Sequence, residues 1–430
     1  MKIAILGGGF TGLTAAFYLS NKRHEVTLFE KEKVLGGLAV GFKGKNWDWY
    51  LERAIHHWFS NDSDILNFAK EIGFNDIIFR SPVTASLYED SANNYRIIPV
   101  DTPQDFLRFP YLRLDEKLRA SFVLAFLKLV PFLPMFERYT ARDFLTKTMG
   151  EGSWNVLWQN LFRKKFGKYA GKILASFIWA RIKKRTKNLG YPKGGYQQFI
   201  NHIVKKEREV GVDIRLETTV KDIQSSKEEF TIWYEEKGIS QDKKFDIVIS
   251  TLPTPIVTKV TEHLFPANYI SKLKRIKYLH AISLILESEN PLIEKSYWLN
   301  IATSKIKIMG LFQHTNFMDK ENYNNKHILY ISHYPDSSDP MLNMNETEIL
   351  RHYDPELKKI NSKFNVFRAK AYLFKAGFAQ PIFDKNFIRN KPEFITPEKN
   401  FFMANLDMTY PYDRGTNYAV KLGKEVALYV

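Results

Sequence analysis

The chain has 430 residues, which is more than one ordinary compact domain needs and suits about two. It contains no cysteine, so disulfides, thiolate zinc sites, iron–sulfur clusters and dithiol redox pairs are excluded. The formal net charge of +16 suits nucleic acid, an anionic membrane or an acidic small molecule. No nucleic-acid-binding motif accompanies the charge, so we predict no nucleic-acid partner. The missing cysteine fits the cytoplasm, and Lys2 leads straight into an apolar strand instead of a signal peptide.

The N-terminal segment predicts a nucleotide-binding turn. Residues 2–6, KIAIL, form a continuous apolar run that is typical of a buried parallel strand. Gly7, Gly9 and Gly12 follow with the G-x-G-x-x-G spacing, which provides a tight turn, close backbone approach to phosphates and close helix packing. The helix predicted over residues 13–22 would direct its N-terminal N–H groups and dipole at a pyrophosphate.

An acidic residue completes this dinucleotide pattern. The predicted second strand, residues 24–30, ends at Glu30, about 20 residues after the turn. A carboxylate there accepts hydrogen bonds from ribose hydroxyls and repels a 2′-phosphate, which disfavours NADP. The predicted cofactor contacts also include Phe10 and Thr11 in the turn and Lys31 after the acid.

A second glycine pair, Gly36 and Gly37 followed by Leu38, comes directly after this acid. The E-x(5)-GG pattern resembles the FAD-dependent amine oxidase superfamily, which includes protoporphyrinogen oxidases, phytoene desaturases and UDP-galactopyranose mutases. Glycines there let a second backbone segment approach the extended cofactor. The resemblance implies FAD and an α/β fold: a Rossmann-like FAD-binding domain of the glutathione-reductase type, with an inserted α+β substrate domain.

Residues 191–223 are similar to the stretch of protoporphyrinogen oxidases that returns to the FAD domain. By that resemblance, the backbone of Val220 contacts adenine. Asn405 stands where the family usually has a carboxylate that binds the ribityl chain, and Asp407 follows two residues later. Which of these two residues takes that role stays open.

The C-terminal residues predict a helix that starts near Gly415. In the resembling family, such a helix directs its N-terminus at flavin N1 and the C2 carbonyl, where reduced flavin carries negative charge. The N–H groups of Gly415, Thr416 and Asn417 are therefore expected to face the flavin. An amphipathic helix that packs on the sheet would show the same pattern, and both interpretations hold together.

The order of these segments predicts a discontinuous FAD-binding domain over residues 1–80, 190–270 and 395–430. The remaining parts, residues 81–189 and 271–394, are then expected to form the substrate domain.

The most basic and aromatic region, residues 105–187, is predicted to be helical and amphipathic. Residues 119–136 are apolar but interrupted by a lysine and two prolines, so they fit a core helix, a tunnel wall or a surface segment that dips into lipid. Residues 162–188 carry ten basic and no acidic side chains. This stretch predicts peripheral attachment to an anionic membrane surface, and a solvated charged face is the alternative.

Three residues are the candidates for the chemistry. His56 and His57 follow the second glycine pair, where the family chain runs past the flavin ring; one of them is expected to donate to flavin N5 or to shuttle a proton. Amine oxidases place a lysine near flavin N5, and Lys375 matches it by rough chain position. Structural roles for all three stay open. No histidine spacing predicts a metal site.

We therefore predict an FAD-dependent oxidoreductase that transfers hydride from a small-molecule substrate to flavin N5. The aromatic middle of the chain favours an apolar or flat substrate. The alternative is a non-redox flavoenzyme of the UDP-galactopyranose mutase type, which the paired histidines and the basic charge favour. A flavin-binding regulator without turnover is a third possibility, and the oligomeric state stays unknown.

Overall fold

A computed structural model describes residues 1–90, 92, 94–226 and 229–430. The strands in chain order are β1 (Lys2–Leu6), β2 (Glu25–Phe29), β3 (Gly41–Phe42), β4 (Leu51–Glu52), β5 (Trp58–Phe59), β6 (Ile77–Arg80), β7 (Thr84–Glu89), β8 (Tyr95–Pro99), β9 (Leu189–Pro192), β10 (Asp213–Arg215), β11 (Thr218–Ser226), β12 (Glu229–Glu236), β13 (Ile239–Phe245), β14 (Ile247–Ser250), β15 (Tyr278–Ser288), β16 (Trp298–Ile301), β17 (Gly310–Gln313), β18 (His327–His333), β19 (Lys370–Pro381) and β20 (Phe401–Met403).

The α-helices are α1 (Phe10–Asn21), α2 (Ser63–Glu71), α3 (Pro103–Leu107), α4 (Leu114–Leu129), α5 (Met135–Arg138), α6 (Ala141–Met149), α7 (Glu151–Leu157), α8 (Gln159–Phe166), α9 (Ala175–Lys184), α10 (Tyr196–Glu209), α11 (Thr254–Val260), α12 (Ala267–Lys274), α13 (Glu346–Lys358), α14 (Lys385–Asn390) and α15 (Thr416–Val426).

A five-stranded parallel sheet in the order β10-β2-β1-β14-β20 forms the centre of the nucleotide domain. The predicted strand over residues 2–6 is its middle strand, and only Lys2 of that strand is exposed. Strand residues alternate between the two faces of a sheet. Accordingly, Ile3 and Ile5 pack in one apolar core, and Ala4 and Leu6 pack in another. Burial on both faces explains why this segment reads as a continuous apolar run.

Different layers cover the two faces of the parallel sheet. On one face, α1 packs against α10 and α15. On the other face, β11, β12 and β13 form an antiparallel sheet. This three-layer arrangement is the glutathione-reductase-type α/β fold that the resemblance implies, so the predicted fold class is confirmed.

The second large unit is built on a seven-stranded mixed sheet in the order β19-β15-β18-β17-β16-β7-β8. One face contributes side chains such as Tyr330 and Phe374 to the core shared with the nucleotide domain. The other face is covered by α13. All strands of the parallel sheet come from residues 1–80, 190–270 and 395–430, whereas the strands of the mixed sheet lie between those ranges.

Helices α3 to α9 form a helical layer with its own apolar core. Residues 162–188 are not one amphipathic surface helix, because α8 ends at Phe166, a short 3-10 segment follows over Gly167–Lys172, and α9 is buried from Ala175 to Ala180. The aromatic side chains that made this segment look membrane-active therefore belong to the protein core. Of the helices in the described parts of the chain, none combines the length and apolar character needed to cross a bilayer.

Candidate functional site

The first glycine turn lies between β1 and α1 and needs its glycines for steric reasons. Gly7 has a φ of +105°, a conformation that side chains disfavour. A Cβ on Gly12 would lie 2.0 Å from the carbonyl oxygen of Gly7, so α1 could not pack so closely against the turn. The first-turn N–H groups of α1 have no partner within the helix, and they form an anion-binding end.

Glu30 directly follows β2 and links the turn to the neighbouring strands. Its Oε2 accepts a hydrogen bond from the N–H of Gly8 at 2.8 Å, and its Oε1 accepts one from Glu32 N–H at 2.9 Å. The carboxylate is buried and keeps further lone pairs for a ribose. Lys31 points into solvent, where it pairs with Glu32, so its side chain contributes little to a cofactor site.

The second glycine pair meets the first turn backbone to backbone. The N–H of Gly36 donates to the carbonyl oxygen of Gly8 at 2.8 Å. A Cβ on Gly37 would lie 3.1 Å from the Cα of Gly9. An extended dinucleotide needs two such close backbones beside an acceptor for the ribose. These residues therefore fit FAD, whereas Leu38 is partly exposed beside them.

Other predicted cofactor residues support this cradle from behind. Phe10 is buried and stacks on Phe199 of α10 with ring centroids 5.9 Å apart. The carbonyl of Thr11 lies against Gly423 of α15, where a Cβ would be 2.5 Å away. Val220 lies on β11 at an irregularity in the pairing with β12. The N–H of Thr218, two residues earlier, donates to the carbonyl oxygen of Glu30 at 2.8 Å, so this strand begins beside the acid that is predicted to bind ribose.

Both candidates for the ribityl contact are buried and hydrogen bonded to the protein. Asn405 follows β20 and donates from Nδ2 to Leu252 O and Thr254 Oγ1, both at 3.0 Å. The carboxylate of Asp407 accepts hydrogen bonds from Thr254 Oγ1 and Tyr278 OH, both at 2.5 Å. Burial raises the pKa of Asp407 to about 6. Within the described residues, Asp407 Oδ1 has no hydrogen-bond partner, whereas the amide nitrogen and oxygen of Asn405 are both used within the protein; the choice between the two stays a prediction.

The C-terminal helix α15 begins where the resemblance implies, with Gly415 as its N-cap residue. Thr416 Oγ1 accepts a hydrogen bond from the indole N–H of Trp58 at 3.0 Å. The side chain of Asn417 instead accepts from Ile65 N–H and donates to Asp64, which fixes the start of α2. The bond to Trp58 places the N-terminus of α15 beside the segment that carries the paired histidines.

His56 is held in one tautomer by the backbone. Its Nδ1 lies 2.7 Å from the carbonyl oxygen of Ala54, and because a carbonyl only accepts, Nδ1 carries the proton. Its ring packs against Tyr196. Burial, together with the neighbouring positive charge of Arg414, lowers the pKa of His56 to about 4 in spite of the hydrogen bond to Ala54. His56 is therefore neutral at pH 7, with the Nε2 lone pair left as an acceptor.

His57 points into a different, aromatic environment. Its Nδ1 is hydrogen bonded to the hydroxyl of Tyr297 at 3.0 Å, and its ring lies 5.9 Å from the ring of Trp298. Burial lowers the pKa of His57 to about 3, assisted by His56 and by the guanidinium groups of Arg185 and Arg181. Neither histidine is a cation at neutral pH, and each can orient a substrate only as a neutral imidazole.

Glu52 is the buried acid at the junction between the two units. It is fully buried; both carboxylate oxygens contact Tyr191 OH, and Oε1 accepts from Tyr196 N–H at 2.8 Å. Its carbonyl oxygen accepts from Tyr330 OH on the mixed sheet at 2.8 Å. Burial raises the pKa of Glu52 to about 7. The strand before the histidines is thus anchored to both units.

The prediction that Lys375 takes part in the chemistry is wrong. Its ammonium donates to the carbonyl oxygens of Leu342 at 2.7 Å and Met344 at 2.6 Å. On β19, the adjacent Phe374 packs towards the nucleotide domain, whereas Leu373 packs towards α13. Because alternate strand residues point to opposite faces, Lys375 points away from the nucleotide domain.

A group of charges beside the histidines was not predicted from the sequence. Asp413 and Arg414 immediately precede Gly415, and Asp413 pairs with Lys165 and Arg181 from the helical layer. Only their position next to the predicted helix start could have drawn attention to them. The part of the chain that the structure describes contains no group of three or more histidine or carboxylate side chains placed to hold a metal ion.

The two glycine segments, the buried Glu30 and the helix beside the histidine segment fit a protein that binds FAD in a two-unit α/β fold. Comparison with known families agrees over nearly the whole chain. Residues 10–420 match the model of the flavin containing amine oxidoreductases. The chain belongs to this family, which places it among FAD-dependent oxidoreductases.

Individual relatives match this chain either over a short segment or at low sequence identity. The 15-cis-phytoene desaturase of Synechococcus elongatus is 32% identical over 96 residues, which make up 20% of this chain and 20% of that protein. An oxidoreductase structure from Methanosarcina mazei superposes with a TM-score of 0.76 at 18% identity, over 99% of both chains. The structure of a protein of Exiguobacterium sp. 255-15 that is assigned as a protoporphyrinogen oxidase superposes with a TM-score of 0.74 at 16% identity, over 100% of this chain and 98% of its own. These structures confirm the fold, and the substrate stays unidentified.

Proposed function

We propose that this protein oxidises a small-molecule substrate bound beside His56 and His57, with FAD held across the two glycine segments. The observation that carries the proposal is the hydrogen bond from Trp58 to Thr416, which joins the histidine segment to the N-terminus of α15. When bound, FAD accepts a hydride from the substrate. The dipole and free N–H groups of α15 favour negative charge at that end.

The histidines then act as neutral hydrogen-bonding groups. The lone pair on Nε2 of His56 can accept a bond from a substrate N–H or O–H group. The aromatic wall of Tyr297 and Trp298 beside His57 excludes water and suits an apolar or flat substrate body. A low pKa means that neither ring stores a proton before the substrate arrives.

The first test is the absorption spectrum of the purified protein before and after acid precipitation. We expect flavin bands and the release of FAD into the supernatant. A protein that is colourless and fails to bind added FAD would contradict the proposal. Anaerobic mixing of the loaded protein with candidate donors then tests oxidation, since a substrate bleaches the flavin. A flavin that no donor reduces would favour a regulator without turnover.

We also propose that the chain attaches peripherally to a membrane surface through α4 and not through residues 162–188. One face of α4 is buried, but four large apolar side chains form a single exposed stripe on the other. Arg119 and Lys128 are exposed on either side of this stripe, and Asp115 beside it is paired with Arg113, so an anionic lipid surface is the partner that its chemistry fits. The stripe consists of Leu114, Leu118, Phe122 and Leu129.

Sedimentation with vesicles that contain phosphatidylglycerol at low salt tests this proposal. Phe122, 75% exposed, should be critical, so Phe122→Glu is expected to leave the protein in the supernatant. Ile239→Glu is the matched control, because Ile239 is 64% exposed and lies on β13 and not on α4. Equal losses in both variants, or no binding by the unmodified protein, would refute a role for α4.

A further inference from the structure

A buried ionic cluster lies beside the histidines and plays no part in the chemistry proposed above. At its centre, Asp413 Oδ2 forms ion pairs with Lys165 Nζ at 3.1 Å and with Arg181 Nη1 at 3.4 Å. Lys165 lies on α8 and Arg181 lies on α9. Each of them is more than 230 positions away from Asp413 in the sequence. The side chain of Lys165 is only 14% exposed.

Two further guanidinium groups adjoin this centre. Arg414 donates from Nη1 to the carbonyl oxygen of Ala379 at 2.5 Å and from Nη2 to the hydroxyl of Tyr334. Arg185 pairs with Asp101 at 3.4 Å. The cluster therefore holds four cations and two carboxylates, which leaves two positive charges without a carboxylate. The members of this cationic cluster are Lys165, Arg181, Arg185, Arg414, Asp413 and Asp101.

The surplus charge faces the histidine segment. The guanidinium groups of Arg181 and Arg185 lie 5.2 and 5.4 Å from the ring of Trp298, which packs on His57. Arg414 directly precedes the N-cap residue of α15 and acts electrostatically on His56. About a third of the side chains of Arg181 and Arg185 stays exposed, so a ligand can reach them.

Surplus positive charge in a partly dry place costs free energy unless an anion balances it. The effect is visible at Lys165, because burial lowers the pKa of its ammonium to about 8 in spite of Asp413. Arginine offers a planar set of donors that matches the oxygens of phosphate and carboxylate. Trp298 provides a flat surface next to these donors.

We propose that the cationic cluster binds a doubly charged oxyanion on the substrate, either a phosphate-type group or a pair of carboxylates. The proposal rests on the proposed function, because it takes the substrate to lie beside His56 and His57. The substrate then has two parts: an anionic group on Arg181, Arg185 and Arg414, and an apolar or flat body against Trp298.

Calorimetric titration of the FAD-loaded protein with pyrophosphate and, separately, with succinate tests the proposal without any turnover. We expect one of the two anions to bind at a single site. Arg181→Met and Arg185→Met should each weaken its binding by about tenfold or more, because each removes a charge-assisted contact. Lys172→Met is the matched control: it removes the same charge from an exposed position nearby and should leave the affinity unchanged.

The outcomes separate this proposal from the proposed function. Flavin absorbance reports FAD binding in every variant, so a protein that holds FAD but binds neither anion refutes the cluster alone. Equal weakening in Lys172→Met would also refute it, because it would show attraction by net charge only. Binding of pyrophosphate alone identifies a phosphorylated substrate, and binding of succinate alone identifies a dicarboxylate. If the protein binds an anion but is unable to bind FAD, the proposal for the cluster stands and the proposed function is refuted.

Discussion

Glu52 makes the stability of the protein depend on pH in a way that one substitution can isolate. Its pKa is raised from 4.5 to about 7, mainly by burial. A raised pKa in the folded state means that the folded protein holds a proton that the unfolded chain releases. Stability from this group is therefore fully present below pH 4.5 and is lost as pH rises through 7. A shift of that size corresponds to about 3 kcal/mol in total, most of it lost between pH 5 and pH 8.

Glu52→Gln replaces the protonated carboxyl with a neutral group of the same shape. Its amide oxygen can still accept from Tyr196 N–H and Tyr191 OH, so the variant should match the unmodified protein near pH 5. The assay is urea unfolding of both FAD-loaded proteins from pH 5 to pH 8. We expect Glu52→Gln to become the more stable one by about 2–3 kcal/mol at pH 8. A stability difference that does not change with pH would refute the reasoning.

Three further predictions concern single residues. Gly12→Ala should reduce the FAD content about tenfold or more, because overpacking displaces α1; Gly171→Ala, in open space, should not, and flavin absorbance decides. Glu207 is buried, and neither carboxyl oxygen has a hydrogen-bond partner in the described structure, so Glu207→Leu should raise the free energy of unfolding at pH 8, measured with urea, by about 1–3 kcal/mol; a lower free energy of unfolding contradicts this. NMR should show no titration of His56 or His57 between pH 5 and 8, and a midpoint above 6 would contradict their burial.

The nucleotide segments could be predicted because their signals are local. Gly7 and Gly12 stand five residues apart, and each is needed by the turn in which it lies. The β1 strand reads as apolar because both of its faces are buried. The position of Glu30 also follows from the length of one strand–helix–strand unit. Here the spacing of the residues in the sequence directly determines the geometry of the site.

Lys375 shows where such reasoning fails. Its place in the chain was compatible with a site lysine, but the side on which it lies depends on the pairing of β19 with β15. Lys375 pairs with Ile282, and that register turns it towards α13. A shift by one residue reverses the direction of a strand side chain, so chain position alone cannot choose a face.

The cationic cluster could not be predicted from the sequence for a related reason. The basic run over residues 162–188 reads as a surface for lipid because positive charge on a helix usually faces solvent. Lys165 and Arg181 face inwards instead, because Asp413 lies between them in the fold. The sequence around Lys165 and Arg181 gives no indication that Asp413, more than 230 positions further along the chain, is their partner.

The histidine pair and the cationic cluster are best understood as one electrostatic unit. Burial is the main cause of the low pKa of His57, but Arg185 and Arg181 lower it further, as Arg414 does for His56. An oxyanion on these guanidinium groups would offset their charge and raise the pKa of both rings. Binding the substrate would thus make the nearby imidazoles better proton acceptors. In an NMR titration at low pH, the anion that binds should move the midpoint of His57 upwards, and an unchanged midpoint would separate the two groups.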